Sequence, residues 1–314
     1  MTPRAGLFIH WLVLTLCCSL PGACCRTQAA ASSETLPTRG GVIELIIEPA
    51  AADAALRERI TTWVNKAADA VSAYYGQFPL ARVRVNVTLR SGRGVSGGTT
   101  YGWGGAHIEI SVGRDSTTAD FDDDWIMTHE MVHLGFPSVA RRHHWIEEGI
   151  ATYVEPVARV RVGQLTAEKI WRDMLDGMPK GLPEAGDRGL DFTPTWGRTY
   201  WGGALFCLTA DVEIRRRTGN AKGLEHALRA IVAAGGTIES DWELRRALAT
   251  GDRATGVPVL IGLYDQWRAT PVSPDLPAFW RQLGVARNRD GSVRFDPAAP
   301  LAAERQGITA GGRR

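Results

Sequence analysis

The chain has 314 residues, with 36 lysines and arginines against 34 acidic residues and a formal charge of +2. No basic block or stacking motif accompanies that near-balance, which argues against a nucleic-acid partner, and no repeat recurs at solenoid periods. Hydrophobic residues make up 44%, enough for one two-lobed domain with a substantial core.

Arg4, an apolar run from Leu7 to Leu20 and small residues through Ala23 read as the three parts of a secretory signal over residues 1–25. The run falls short of a membrane span of ~20 residues, so the expectation is an exported protein, periplasmic or secreted. Cys17, Cys18, Cys24 and Cys25 lie in or at the edge of this signal. A lipidated Cys24 is the alternative and the one route to a membrane, although Leu20 stands one residue too far from it for a lipobox. Cys207 is left without a partner; among Leu205, Phe206 and Leu208 it reads as a buried thiol, so no disulfide is expected in the mature body.

Residues 26–41, rich in alanine, serine and threonine, read as a flexible leader. An α+β lobe is expected over 42–136. It opens with a strand at Val42–Glu48, then an amphipathic helix over 52–75, where Leu56, Ile60, Trp63, Val64, Ala67 and Val71 recur at three and four. Val83, Val85 and Val87 alternate along a half-buried strand over 81–89. The Gly-rich stretch 97–112 is strand-like, and two readings stay open for it: an edge strand that a peptide substrate joins by strand addition, or an ordinary hairpin with a Gly-rich turn.

Asp122, Asp123 and Asp124 suit the N-terminus of a helix, and Ile126, Met127, Met131, Val132 and Leu134 give that helix an apolar surface before Gly135 and Pro137 stop it. The helix carries His129-Glu130-Met131-Val132-His133. Two histidines four residues apart project from one face, one turn above the other, and can bind one zinc ion at ~2.0–2.1 Å. Glu130 then stands beside the metal, where a general base for the attacking water belongs. A third protein ligand is needed, and Glu148 is the candidate. His107 could be a ligand but reads more simply as a hydrogen-bonded strand histidine; His143 and His144 lie in a connection that reads as solvated.

A helical lobe is expected over 137–285, with helices at 164–176, 199–217, 222–234, 240–249, 256–268 and 274–283. Ser240 and Glu243 have capping-box spacing, Ser273 and Pro274 open the last helix and Gly284 closes it. A Pro/Gly-rich loop over 177–198 brings Trp196 near the cleft, and residues 286–314 read as a weakly ordered tail.

The segment from His129 to Glu155 resembles the gluzincin branch of the zinc metallopeptidases, including aminopeptidase N and the glycyl aminopeptidases. Trp145-Ile146-Glu147-Glu148-Gly149-Ile150-Ala151-Thr152-Tyr153-Val154-Glu155 is similar to that family's second motif. The resemblance implies Glu148 as third zinc ligand, after a spacer shorter than in aminopeptidase N relatives. Tyr200-Trp201-Gly202-Gly203 and the run that follows resemble the family's Tyr-x-Lys-Gly helix, with Gly202 in place of lysine. That implies Tyr200 as the oxyanion-stabilising residue, a packing tyrosine being the other reading. Thr152 and Glu155 share a helix face with Glu148 and are candidates for orienting the ligand histidines, or for plain packing. The family's Gly-x-Met-Glu-Asn motif, whose glutamate grips a free amine, has no full counterpart: Gly104-Gly105-Ala106-His107-Ile108-Glu109 puts Glu109 out of register. Glu147 could serve as amine anchor instead.

The expected fold is α+β, a zincin-like two-lobed catalytic domain with zinc in the crevice. The expected function is an exported metallopeptidase holding one Zn²⁺ by His129, His133 and Glu148, with Glu130 as base and Tyr200 on the oxyanion, acting on peptide or protein substrates. Whether it cuts at chain ends or within chains stays open. The alternative is a catalytically silent peptide- or partner-binding protein on the same scaffold.

Overall fold

Alternation of apolar and polar residues builds the first half of the molecule. In the computed structural model, which describes residues 32–49 and 53–310, five strands form one mixed sheet: Ser32–Thr38 (β1), Gly41–Glu48 (β2), Arg82–Arg90 (β3), Val95–Tyr101 (β4) and His107–Gly113 (β5). Their order is β1-β2-β3-β5-β4, with β2, β3 and β5 parallel and the two edge strands antiparallel to their neighbours. Ile43, Leu45 and Ile47 on β2, Val83, Val85, Val87 and Leu89 on β3, and Ile108, Ile110 and Val112 on β5 are buried. They share one core with the apolar stripe of Ala54–Tyr75 (α1), whose first turn is capped by Asp53 and which ends at Gly76 with φ 87°.

Two short helices, Thr118–Asp122 (α2) and Ile126–His133 (α3), lead to the central helix His144–Arg161 (α4). Asp124 supports the start of α3 by accepting from Met127 N, and holds it to α1 by accepting from Trp63 Nε1 at 3.0 Å. The remaining helices are Ala167–Gly177 (α5), Gly203–Arg217 (α6), Leu224–Ala233 (α7), Leu244–Thr255 (α8), Val259–Trp267 (α9), Leu276–Leu283 (α10) and Ala302–Thr309 (α11); a small hairpin, Val285–Arg287 (β6) and Val293–Phe295 (β7), precedes the last. The fold is α+β. No helix among the described residues is long and apolar enough to cross a membrane.

The expected secretory signal, its four cysteines and residues 26–31 lie outside the described residues. The rest of the expected leader is corrected: residues 32–38 form β1, paired along its length with β2 across a turn at Gly40, φ 102°. Its order comes from the backbone ladder, with Leu36 as the buried side chain, so polar composition hid it. The expected weakly ordered tail over 286–314 is corrected as far as residue 310. Val293 and Ile308 are buried there, and Arg305 Nη1 donates to the Leu283 and Gly284 carbonyls that end α10. The expected capping box at Ser240 is also absent: Ser240 Oγ closes a turn with Thr237, and α8 starts after Glu243. Likewise α10 is opened by Asp275, which accepts from Ala278 N, not by Ser273 and Pro274.

Candidate metal centre

The rings of His129 and His133 stand one turn apart on α3, with centroids 4.9 Å apart and planes at 82°. Glu148 reaches them from α4. Its Oε2 lies 3.1 Å from His129 Nε2 and 3.8 Å from His133 Nε2, and one donor atom from each of the three residues falls within 4.8 Å of the others. Two ligands at ~2.0–2.1 Å from a tetrahedral zinc are separated by roughly 3.4 Å, so the spacing fits that ion. The electrostatics fit as well. Burial, and His129 beside it, push the His133 imidazole down to about 3, which keeps it neutral with a lone pair free. Burial alone would raise the Glu148 carboxyl, but the His129 hydrogen bond and the neighbouring imidazoles hold it below the ordinary glutamate value. Among the described residues, three glutamates and no lysine or arginine line the cleft, a charge balance suited to a divalent cation.

Backbone contact between helices explains why two glycines sit here. A Cβ on Gly149 would lie 2.4 Å from Gly203 Cα, and one on Gly203 would lie 2.1 Å from the Trp145 carbonyl oxygen. With no side chain at either place, α4 and the start of α6 touch, and the π-helical turn Arg198–Gly202 carries Tyr200 to the cleft. The buried pair Arg198 Nε–Asp187 Oδ2, 2.8 Å, anchors that turn. Burial, then the charges of Glu148 and Glu130, raise the Tyr200 hydroxyl above its ordinary value, so it stays protonated and able to donate.

Glu130 points to the opposite wall, which is the edge strand β4. Thr100 Oγ1 donates to Glu130 Oε2 at 2.7 Å, and a Cβ on Gly98 would sit 2.7 Å from Glu130 Cγ. The glycine lets the strand close over the base. Burial raises the Glu130 carboxyl above the ordinary range against the pull of Thr100. The cleft between these walls has a volume of about 760 Å³. The stretch 97–112 forms a hairpin whose β4 is the sheet edge beside the candidate metal site.

The other singled-out residues separate cleanly. His144 stands at the rim with Nδ1 3.0 Å from Glu147 Oε2 and Nε2 3.3 Å from Glu148 Oε1; Glu147 also accepts from Val139 N. His143 is buried away from the cleft, with Nδ1 2.8 Å from Asp191 Oδ1, an atom that also accepts from Trp145 Nε1. The expectation of a solvated connection therefore fails for His143. His107 bonds the Gly105 carbonyl and stacks on Tyr101, and Glu109 accepts from Asn86 on β3, so neither lines the cleft. Glu155 is buried against Arg159 at 2.8 Å, with His129 close enough to influence its charge; Thr152 is half-buried. His129 Nδ1 is buried with no hydrogen-bond partner among the described residues. Two contributors escaped sequence reasoning, Thr100 and Trp125. The Gly97-Gly98 pair before Thr100 was the available signal for a close approach; Trp125, with its ring 5.3 Å from His129, had none.

No family model matches the chain, and no curated protein does. Solved structures do. An aminopeptidase N family protein from Idiomarina loihiensis superposes with a TM-score of 0.59 at 14% identity, over 81% of this chain and 49% of its own. The M1 zinc metallopeptidase from Deinococcus radiodurans gives 0.49 at 18% identity over 79% and 53%, and Legionella pneumophila aminopeptidase A in complex with aspartic acid gives 0.47 at 16% over 76% and 28%. The chain spans about half the length of the first of these. At such identity the first likeness shows the fold alone: this chain folds like part of that aminopeptidase N family protein.

Proposed function

We propose that the protein is a zinc-dependent peptidase of gluzincin type. The observation that carries this is the convergence of His129, His133 and Glu148 on one point, with the buried carboxylate of Glu130 beside it on the wall of an open cleft. His129, His133 and Glu148 would hold the ion. When bound, zinc supplies Lewis acidity toward water and a peptide carbonyl. The chain's own residues do the rest. Glu130, oriented by Thr100, takes a proton from the attacking water and returns it to the leaving amine. The Tyr200 hydroxyl donates to the carbonyl oxygen as its charge grows. The edge of β4 offers unpaired backbone groups to an extended substrate.

The test is a mixed peptide library incubated with purified chain and with Glu130→Gln, read by mass spectrometry beside a zinc assay. Cleavage by the wild type that vanishes in the variant supports the reading and shows whether ends or interiors are cut. Zinc bound with no cleavage by either protein would replace the enzyme with a binding scaffold. Export belongs to the same proposal, and N-terminal sequencing of the mature protein from an expressing cell tests it.

A further inference from the structure

We infer that the cleft takes extended polypeptide segments bearing bulky apolar side chains on both sides of the reacting bond, with Trp125 and Trp196 as the specificity-determining residues; this rests on the peptidase reading. Six large apolar side chains are exposed among the described residues, and four of them gather at the cleft. Tyr101, Trp103 and Trp125 line the cleft, and Trp196 stacks on Tyr200, which lines it too. Trp103 is 91% exposed, Trp196 61% and Trp125 51%. A cluster of bare indoles around one opening marks a place where apolar surface is meant to be covered.

The rings form a chain of neighbours at the candidate metal site. Trp125 lies 5.3 Å from His129, His129 lies 6.4 Å from Tyr200, and Tyr200 lies 5.9 Å from Trp196. The two exposed indoles are thus the outer members of this chain of rings, one beside His129 and one beside Tyr200. On the proposed reading each meets a substrate side chain next to the reacting bond. Thr100 engages Glu130, the imidazoles engage Glu148, and His144 with Val139 N engages Glu147. The covering chemistry is a peptide more than a glycan. The β4 edge offers unpaired backbone groups, which pair with an extended peptide and not with a sugar.

The test uses two labelled peptides with blocked ends and equal length, one with Phe and Leu about the central bond and one with Gly and Ser. Binding to zinc-loaded Glu130→Gln is read by fluorescence polarisation, and cleavage by the wild type is mapped in parallel. The expected result is binding of the apolar peptide about tenfold tighter or more. In the same background Trp196→Ala and Trp125→Ala each remove roughly that factor and leave the polar peptide unchanged. Trp125→Phe, which keeps a ring at the start of α3, recovers most of it and guards against a folding defect. Equal affinity for both peptides overturns the inference, even if cleavage stands. Apolar preference that the two alanine variants lose, with no cleavage by the wild type, keeps Trp125 and Trp196 as the residues that select the peptide and removes the reacting bond. Glycan or vesicle binding that depends on Trp196, without peptide preference, overturns it as well.

Discussion

Two buried charged clusters flank the central helix α4, and they are finished in opposite ways. In one, Arg215 binds Asp211 at 2.8 Å and Glu225 at 2.7 Å, Arg161 adds to Glu225 at 3.5 Å, and Tyr153 and Leu224 N donate to Asp211. Two guanidinium groups meet two carboxylates, and the Asp211 side chain is fully enclosed. In the other, Glu130 and Glu148 face two imidazoles of which His133 is held neutral, at an open cleft. The first cluster is complete within the chain and the second is short of positive charge. Buried charge that the chain leaves uncompensated points to a ligand, whereas buried charge that it neutralises points to architecture.

The comparison breaks first, and hardest, at Glu130. Glu130→Gln keeps shape and burial but removes the base, so turnover should fall by about 10²–10⁴ with zinc content unchanged. A loss of zinc, or of the melting transition, would mean that Glu130 belongs to the architecture after all. The mirror experiment is Asp211→Ala. It leaves two guanidinium groups, Arg215 and Arg161, to the one carboxylate of Glu225 and should cost about 3–5 kcal/mol in urea unfolding, with zinc affinity untouched. A smaller cost would show the enclosed cluster to be as loosely balanced as the open one.

Those two clusters were not equally legible beforehand. His129 and His133 are fixed by helical spacing alone, and the residues that bury α1 and the inner strands follow from periods of 3.6 and 2. Glu148 came with its motif, and the structure brings it to the histidines. Thr100 was invisible because its contact with Glu130 spans 30 residues and depends on which strand lies at the sheet edge. Sheet order is a tertiary result, decided by long-range pairing that no local pattern encodes. The Ser32–Thr38 strand failed for a related reason: its partner supplies the ladder while its own side chains stay polar. His143 shows the reverse error, a histidine beside two arginines that reads as solvated yet is buried by Asp191, 48 residues away.

Tyr200 sharpens the comparison with Tyr153. Both hydroxyls are raised, first by burial and then by nearby carboxylates, but Tyr153 donates to Asp211 inside the enclosed cluster while Tyr200 opens on the cleft. Tyr200→Phe should lower kcat about 10²-fold and leave stability within about 1 kcal/mol. Tyr153→Phe should do the opposite, costing about 1–3 kcal/mol of stability by leaving Asp211 short of a donor, with kcat kept. Parallel activity and unfolding measurements on the pair decide it.

The smallest expected effect is also the most specific to the open cluster. Burial raises the Glu130 carboxyl, and the Thr100 hydroxyl is the largest influence pulling it back. Thr100→Val removes that donor, so the carboxylate form becomes harder to keep and its pKa climbs further. Glu130 accepts a proton only when ionised, and the ionised fraction falls as pH drops through that pKa. The acid limb of kcat/KM should therefore move to higher pH in the variant. A hydrogen bond to a charged group contributes about 1.5 kcal/mol at its weaker end, which corresponds to roughly one pH unit. On the alkaline side of the limb, where both proteins hold Glu130 ionised, the loss should stay below about tenfold. An unshifted limb would mean that another group titrates there, and that Thr100 serves only to seat β4 against α3.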